Sequence, residues 1–545
     1  MPDLAFELLG EQRDWTLSRV LRRQAARHGE HRFIRFHEGP ELSFAGFNAQ
    51  SDGVARALLA SGVERGDRVF CLLRNGPEFL LLAIACGRAG AVFVPVNTEL
   101  KGWSLQHQLH NCAPRIIVAQ ADLLLQFEAV AAPATSPSHL VVVGESEVAP
   151  PAALAGAEVL GFDAFTARGG DSPLREPGPE EVGCIMYTSG TTGPAKGVLM
   201  PHAHMAIFSV PSAGVRLAER DVYYVCMPLF HANALFVQVF AALICGAQVH
   251  CVQRFSPNRW LDEVRACGAT ITNALGVMTE MLHRSAPRPE DADNPLLRLL
   301  AVPVASWVGE FERRFGLRVL QGFGMTECNM VAYATADDPC IPGCCGTVRE
   351  DLFEVAVLDP ESDMPVADGE VGEICVRPKV AGAFMQGYFG MPDKTVEAWR
   401  NLWFHTGDAG RLEGGTRLHF VDRIKDRIRR RGENVSAYEV EQALALLAGV
   451  VESAVVGVRV GDEGAEQEIK ACIVRDAAVA LTAKAVLDHC VAHVPRFAVP
   501  RFIEFIEALP RTPSNKVQKH LLRETGVRAC WDRESAGSAA RKATP

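Results

Sequence analysis

Short apolar runs alternate along this chain with stretches whose apolar residues recur at helical spacing. Residues 67–73 and 90–96 have the length and the Val-, Phe- and Leu-containing composition of buried strands, and residues 78–87 between them have a helical pattern. This alternation is typical of parallel sheets layered with helices. The pattern therefore predicts an α/β fold in which layered sheets and helices form a large N-terminal domain.

The pattern changes near residue 424. A basic run at residues 423–431 precedes Ser436, and Glu439 follows that serine at the spacing of a capping box, which predicts the start of a helix. A Ser-, Ala-, Arg- and Lys-rich composition at the end of the chain predicts disorder. The predicted divisions are an N-terminal domain at residues 1–424, a C-terminal domain at residues 425–530 and a disordered tail at residues 531–545.

Composition and charge narrow the functional class. The chain has 545 residues, and because a single hydrophobic core usually supports a shorter chain, two or more domains are expected. Of these residues 48% are apolar, as in folded globular proteins. The formal net charge of -10 disfavours a general nucleic-acid-binding protein. Sixteen cysteines without a repeated CxxC frame favour neither a disulfide scaffold nor a zinc ribbon.

Neither the N-terminal segment nor the longest apolar stretch indicates export or membrane insertion. The N-terminus lacks the charged start and apolar core of a secretory signal. The longest apolar stretch, near residues 235–249, is interrupted by Gln238 and Gln248 and is too short to span a bilayer, so it is interpreted as a buried element. A cytoplasmic location is therefore predicted.

Residues 187–197 read Tyr-Thr-Ser-Gly-Thr-Thr-Gly-Pro-Ala-Lys-Gly and follow an apolar run that is predicted to be a strand. Glycines let the main chain approach an anion, the hydroxyl groups can donate hydrogen bonds, and Lys196 supplies a positive charge. Six residues rather than four separate Gly190 from Gly197, so the segment does not match the Walker pattern. A solvated turn is the alternative for such a loop in isolation. We interpret the segment as a phosphate-binding loop at a strand end.

Six further motifs carry candidate chemistry, and each one alone has an ordinary structural explanation. Those explanations are glycine turns and helix caps, a turn aspartate, a buried histidine, a solvated basic helix face and an exposed lysine. The motifs, in chain order, are PLFHANA at residues 228–234, QGFGMTE at 321–327, WFHTGD at 403–408, VDRIKD at 421–426, RGENVS at 431–436 and PRTPSNKV at 510–517.

Together with the loop at residues 187–197, these motifs resemble those of the adenylate-forming superfamily. The superfamily includes acyl-CoA synthetases, aryl-CoA ligases, luciferases and the adenylation domains of peptide synthetases. The resemblance extends over roughly residues 15 to 525, and independent motifs in matching order support one another. It implies a large N-terminal domain of several subdomains, which binds AMP and the acyl group, and a small mobile α+β C-terminal domain.

The resemblance also implies roles for individual residues. Four residues are expected to be catalytic, namely Lys516, Thr326, Glu327 and Lys196, and Glu327 is also expected to hold Mg²⁺ against the phosphates of ATP. The loop residues expected to bind the nucleotide are Thr188, Ser189, Gly190, Thr191, Thr192 and Gly193. Phe323 is expected to stack on adenine, and Asp408 with Arg423 to bind the ribose. Lys425 is expected at the hinge, His231 in the acyl pocket and Gly432 in the pantetheine tunnel.

The chain departs from the usual superfamily pattern at three positions. Phe323 stands where tyrosine is common, Asp422 where most relatives have glycine, and Asn515 where glycine usually precedes the lysine. A phenylalanine retains the stacking face but not the hydroxyl. Asparagine is one of the few residues other than glycine that tolerates a left-handed backbone. The turn before Lys516 is therefore expected to be retained.

The resemblance implies an ATP-dependent acyl-CoA ligase. A carboxylic acid would react with ATP to give an acyl-adenylate and pyrophosphate, and the thiol of coenzyme A would then displace AMP. Residues 420–423 and 431–436 look most like the crotonobetaine/carnitine-CoA ligase branch. A stand-alone enzyme that loads an acyl carrier protein and an inactive nucleotide-binding regulatory protein are the alternatives. The expected partners are the acid, ATP and coenzyme A, with a homodimer as a candidate assembly and without nucleic acid or integral membrane association.

Overall fold

The computed structural model of the protein describes most of the chain, at residues 4–145, 150–188, 194–210, 215–424, 428–430, 433–435, 437–459, 467–494, 498–511 and 517–535. Several predicted site residues lie outside the described residues, namely Ser189, Gly190, Thr191, Thr192, Gly193, Lys425, Gly432 and Lys516, as does the side chain of Arg423. The chain divides into two compact units by its internal contacts. Unit 1 comprises Met1–Val355 and Val376–Trp403, and unit 2 comprises Ala356–Cys375 and Phe404–Pro545.

The first sheet of unit 1 carries the two strands that flank the predicted phosphate loop. Neighbouring strands in this sheet are parallel except for Val182–Thr188 and Lys196–Pro201. These two strands are antiparallel, and Thr188 lies opposite Lys196. The order of its strands is Glu158–Gly161, His139–Val143, Ile116–Gln120, Arg68–Leu72, Val92–Pro95, Val182–Thr188 and Lys196–Pro201.

The predicted alternation of strand and helix is visible in this sheet. Strands Arg68–Leu72 and Val92–Pro95 lie in parallel register, and helix Pro77–Ala89 connects them. Proline suits the first turn of that helix, where no intrahelical donor is needed, and Gly90 ends it with a left-handed φ of 81°. The α/β fold predicted from the sequence pattern is confirmed.

A second sheet of unit 1 is parallel except for one antiparallel edge strand. Its strand order is Arg318–Leu320, Arg298–Val302, Ile271–Leu275, Val222–Val225, Gln248–Cys251, Arg32–Phe36 and Glu41–Ser43. Strands Gly322–Met325, Asn329–Tyr333 and Cys344–Val348 continue the chain as an antiparallel meander. The remaining strands up to residue 413 are Phe353–Leu358, Gly372–Pro378, Trp399–Arg400 and Trp403–Glu413.

Helices separate most of the strands of unit 1. The α-helices are Leu4–Leu9, Leu17–His28, Phe44–Ala60, Pro77–Ala89, Gly102–Cys112, Phe162–Thr166, His202–Phe208, Ala241–Cys245, Trp260–Cys267, Gly276–Arg284, Val308–Phe315 and Pro392–Ala398. Short 3₁₀ helices are Gln12–Asp14, Ala121–Phe127 and Ala152–Leu154, and Asn233–Phe240 is a π-helix. The apolar stretch near residues 235–249 is thus a buried element, as predicted.

Unit 2 is built on a four-stranded sheet in the order Val450–Val458, Glu468–Arg475, Phe502–Ile506 and Trp531–Asp532. Its helices are Ala437–Ala445, Ala483–His493 and Lys519–Glu524. Strand Arg417–Arg423 pairs with the end of strand Trp403–Glu413, and Ile428–Arg430 pairs with Glu433–Val435. The helix predicted after Ser436 begins at Ala437. The domain boundary at residue 424 stays a prediction.

The prediction of disorder from residue 531 onward is wrong for its first residues. Trp531 and Asp532 pair with Ile503 and Phe502 in antiparallel register. Asp532 also forms an ion pair with Arg501, whose guanidinium nitrogen lies 3.2 Å from its carboxylate. Composition alone did not reveal this strand, because two residues carry no periodicity.

No helix in the described part of the chain is long and apolar enough to cross a membrane.

Candidate active site

Glu327 lies in the tight connection between strands Gly322–Met325 and Asn329–Tyr333. The amide of Cys328 donates to the carbonyl of Met325 at 3.2 Å, and Asn329 adopts a left-handed φ of 74°, which turns the chain back on itself. Only 4% of Glu327 is exposed. A carboxylate so withdrawn from water requires compensating polar contacts.

Two hydroxyl groups provide those contacts. The hydroxyl of Thr188 donates to Glu327 Oε1 at 3.3 Å, and the hydroxyl of Tyr388 donates to the same oxygen at 3.2 Å. Among the residues that the structure describes, no side chain donates to the second oxygen, Oε2, and no basic side chain forms an ion pair with Glu327. Among the described residues, the carboxylate is therefore oriented by neutral donors.

Tyr388 is placed by the strand that begins at Lys196. The amide of Leu199 donates to the carbonyl of Gly387 at 2.9 Å, and the amide of Phe389 donates to the carbonyl of Gly197 at 2.7 Å. Burial and the neighbouring Glu327 carboxylate raise the pKa of Tyr388, so its hydroxyl stays protonated and acts as a donor.

Lys196 joins the same group of residues through its ammonium. Its Nζ lies 4.1 Å from the centroid of the Tyr388 ring, which is the geometry of a cation–π contact. Thr188, Lys196, Glu327 and Tyr388, hereafter the Glu327 cluster, thus combine residues from two distant motifs and from a third segment. Three of them were predicted from the sequence.

Thr326 is held through its backbone. His204 Nε2 lies 3.0 Å from the carbonyl oxygen of Thr326, and since a carbonyl only accepts, the imidazole donates. The carbonyl of His204 in turn accepts from the side-chain amide of Asn329 at 3.3 Å. Burial lowers the pKa of His204 to about 4, so the ring is neutral near pH 7.

Phe323 lies in strand Gly322–Met325 and is 6% exposed. The glycines on both sides of it are tightly packed, since a Cβ on Gly324 would lie 2.5 Å from the carbonyl oxygen of Asn329. Glycine is therefore required at Gly324 for the two strands to approach. The adenine-stacking role of Phe323 stays a prediction.

His231 precedes the π-helix Asn233–Phe240 and is exposed. Its amide donates to the carbonyl of Pro228 at 3.1 Å, and its ring lies 4.6 Å from the ring of Phe230. The prediction of an acyl-pocket residue here stays a prediction.

The predicted ribose-binding aspartate belongs to unit 2. Asp408 is 3% exposed, and its strand position is opposite that of Arg423 in antiparallel register. Its amide donates to the hydroxyl of Thr406 at 3.1 Å, and that hydroxyl donates to the carbonyl of Ile374 at 2.7 Å. The two residues predicted to bind ribose are therefore neighbours across a strand pair.

Sequence reasoning missed Tyr388 and His204. Tyr388 stands in a Gly-Tyr-Phe segment without an adjacent charged residue, and His204 stands in an apolar helix. Neither position has a local signal that separates it from an ordinary core residue. Only the pairing of Tyr388 with the 196–201 strand, and the packing of His204 against Thr326, mark them as parts of the site.

Two family models match this chain. The AMP-binding enzyme model matches residues 21–389, and the model of the AMP-binding enzyme C-terminal domain matches residues 439–516. The chain belongs to the AMP-binding enzyme family. The predicted membership of the adenylate-forming superfamily, and of its acyl-CoA synthetases, is confirmed.

Individual relatives of this AMP-binding enzyme agree with that assignment. Crotonobetaine/carnitine-CoA ligase of Salmonella arizonae is 29% identical over 500 residues, which cover 89% of this chain and 94% of the relative. The crystal structure of ATP-bound MatB from Rhodopseudomonas palustris is 27% identical, with a TM-score of 0.80 over 94% of this chain and 99% of that one. The anthranilate CoA ligase AuaEII in complex with anthranoyl-AMP shares the fold at 22% identity, with a TM-score of 0.81 over 94% and 97% of the two chains.

Proposed function

We propose that this AMP-binding enzyme is an ATP-dependent acyl-CoA ligase. It would join a carboxylic acid to the α-phosphate of ATP with release of pyrophosphate, and would then transfer the acyl group to coenzyme A with release of AMP. The observation that carries the proposal is the Glu327 cluster, because it unites the two ends of the predicted phosphate loop with a buried carboxylate.

The Glu327 cluster fits a magnesium ion by its donor set. A carboxylate oxygen is the ligand type that Mg²⁺ prefers, and among the described residues Oε2 of Glu327 receives no hydrogen bond. Glu327 would hold the ion, with its orientation set by the hydroxyls of Thr188 and Tyr388. The bound ion supplies positive charge that offsets the phosphates of ATP.

The residues of this chain would act mainly by positioning and by charge. A carboxylate oxygen of the acid attacks the α-phosphorus, the bond from that phosphorus to the bridging oxygen breaks, and pyrophosphate leaves. Lys196 supplies a fixed ammonium near the departing phosphates, and the tyrosine ring beneath it limits its position. Lys516 is expected to balance charge on the reacting carboxylate and the α-phosphate in this step.

In the second step the thiol sulfur attacks the acyl carbon and the bond from that carbon to the AMP oxygen breaks. The AMP phosphate carries away the electron pair, and the thiol proton passes to solvent or base. No covalent enzyme intermediate is required. Gly432 is expected to leave room for the pantetheine arm, and Lys425 to be the hinge between the two catalytic poses.

Pyrophosphate exchange with a panel of acids tests the reaction class. Crotonobetaine and carnitine belong in the panel because the Salmonella relative is named for them, alongside aliphatic, dicarboxylic and aromatic acids. We expect exchange with at least one acid and thioester formation with free coenzyme A. Exchange without transfer to coenzyme A would favour the enzyme that loads a carrier protein, and absence of exchange with every acid would favour a regulatory protein.

The two half-reactions separate the role of Lys516. Lys516→Ala should lower adenylation far more than thioester formation from supplied acyl-adenylate, because the lysine is expected to act in the first step. Equal losses in both half-reactions would contradict this assignment. The same protein preparations test the acyl-carrier alternative by measuring acyl transfer to a carrier protein. Light scattering tests whether the protein is a homodimer.

A further inference from the structure

One face of helix Gly102–Cys112 contacts both strands that carry the phosphate-loop ends. His107 and Asn111 are four residues apart, so their side chains lie on the same face of the helix. His107 contacts the residue before Lys196, and Asn111 contacts the residue before Thr188. The sequence motifs did not point to this helix.

The His107 contact fixes the strand that begins at Lys196. His107 Nε2 lies 2.9 Å from the carbonyl oxygen of Ala195, and because that oxygen only accepts, Nε2 carries the proton and donates. Trp103 stacks on the imidazole, with ring centroids 5.5 Å apart and planes inclined by 14°. The stacking restricts rotation of the ring and keeps its donor directed at Ala195.

The Asn111 contact fixes the other strand. The hydroxyl of Tyr187 donates to Asn111 Oδ1 at 2.6 Å. Burial raises the pKa of Tyr187, so the phenol remains a donor across the physiological range. A Cβ on Gly390 would lie 3.2 Å from Asn111 Nδ2, so the segment that carries Tyr388 also passes against this side chain.

We propose that His107 and Asn111 are positioning residues for adenylation, which set Lys196 and Thr188 against Glu327. The two hydrogen bonds of this helix face are made to the residues directly before Lys196 and Thr188, so two of the four members of the Glu327 cluster adjoin residues that are bonded to one helix. The inference rests on the proposed function, because it assigns these contacts to the ATP-dependent step. It predicts no role in the transfer of the acyl group to the thiol.

The same helix provides a matched control. His110 Nε2 lies 2.9 Å from the carbonyl oxygen of Ala131, so His110 makes the same kind of bond at the same length. That bond leads away from the phosphate strands to a carbonyl in an exposed setting. His107 is half-buried and His110 is exposed, so thermal unfolding of the two alanine variants measures their structural contributions separately, whereas a selective loss of the ATP-dependent step is expected for His107 alone.

The test compares His107→Ala, His107→Gln, Asn111→Ala and His110→Ala. Three measurements apply to each, namely pyrophosphate exchange, thioester formation from supplied acyl-adenylate, and ATP binding by calorimetry. For His107→Ala and Asn111→Ala we expect kcat/KM for ATP in exchange to fall about tenfold or more, as misplaced reacting groups cause. Thioester formation should stay within about twofold of wild type, since Lys196 is not expected to act in that step. ATP binding should weaken in parallel with exchange.

His107→Gln should recover most of the exchange activity, because its side-chain amide can donate to the Ala195 carbonyl, and His110→Ala should match wild type. Equal effects of His107→Ala and His110→Ala, or equal losses in both half-reactions, would overturn the inference while leaving the proposed function intact. A wild-type protein that neither binds ATP nor exchanges pyrophosphate would overturn both.

Discussion

Glu327 of unit 1 and Glu504 of unit 2 are both carboxylates that the fold withdraws from water, and they are provided with different partners. Glu504 Oε2 lies 2.6 Å from the ammonium of Lys470, which is fully buried. That ammonium also donates to Thr525 Oγ1 and the Gly526 carbonyl, both at 2.8 Å, and to the Leu522 carbonyl at 3.2 Å. Glu327 instead receives two neutral hydroxyls on a single oxygen.

The difference distinguishes an ion pair that is completed within the protein from the carboxylate that is proposed to hold Mg²⁺. Lys470 has three protons and at least as many acceptors, so its pair with Glu504 is complete within the protein and joins helix Lys519–Glu524 to the sheet. The Glu327 carboxylate has a set orientation, but no cation among the described residues pairs with it. Loss of one partner from a buried pair is strongly destabilising, whereas the Glu327 carboxylate is proposed to hold a metal ion.

The largest expected effect comes from Glu327→Gln. Glutamine keeps an acceptor oxygen for the hydroxyls of Thr188 and Tyr388 but removes the charge proposed to hold Mg²⁺. We expect pyrophosphate exchange to fall by about 100- to 1,000-fold, with little change in the thermal unfolding midpoint. Glu504→Gln should do the reverse, lowering the midpoint while exchange per folded molecule persists. If the two variants behaved alike, the comparison would fail.

Lys470→Met should cause the largest loss of stability. Removing the ammonium leaves the Glu504 carboxylate without its cation, and breaking a buried ion pair costs about 3–5 kcal/mol. Chemical denaturation followed by circular dichroism measures the change. Lys484→Met is the matched control, because Lys484 and Asp488 form a pair of 2.7 Å on an exposed helix face. Similar losses for the two lysine variants would show that burial does not decide the outcome.

Acid should weaken the surroundings of Glu327 through His204. The folded pKa of His204 is about 4, below the ordinary value of 6.5, so the unfolded chain binds more protons between these values. The contribution of neutral His204 to the free energy of unfolding is therefore complete above pH 6.5. It decreases as the pH falls toward 4, by at most about 3 kcal/mol. Unfolding midpoints of wild type and His204→Gln from pH 7.5 to 4.5 measure this. We expect a shallower decline for the variant, and parallel curves would refute the assignment.

The smallest expected effect is that of Tyr388→Phe. The variant loses one hydrogen bond to Glu327 and keeps the ring beneath Lys196, so exchange should fall by about 3- to 10-fold, as the loss of one hydrogen bond predicts. Tyr388→Leu also removes the ring and should be more severe. Steady-state exchange at varied ATP and Mg²⁺ distinguishes them. Identical activity of the two variants would show that the ring makes no contribution.

Much of the fold was predictable because it follows from local pattern. The strands at residues 68–72 and 92–95 and the helix between them follow from apolar spacing, a first-turn proline and a terminal glycine, all of which act over a few residues. The phosphate loop and the Thr326-Glu327 pair were likewise predicted from short motifs, and their roles stay predictions. The two-residue strand Trp531–Asp532 was not, since its stability derives from pairing with a distant strand.

By itself, the amino-acid sequence determined the α/β alternation and the acid, hydroxyl and ammonium groups available for chemistry, and it predicted a phosphate-binding loop. The tertiary structure decided which of those groups meet and which residues hold them. Thr188 and Glu327 are 139 positions apart, and His107 and Ala195 are 88 apart. No local preference encodes such contacts. They arise because burying the faces of sheets and helices brings distant segments together, and so the contacts of Tyr388, His204, His107 and Asn111 became visible only in the folded chain.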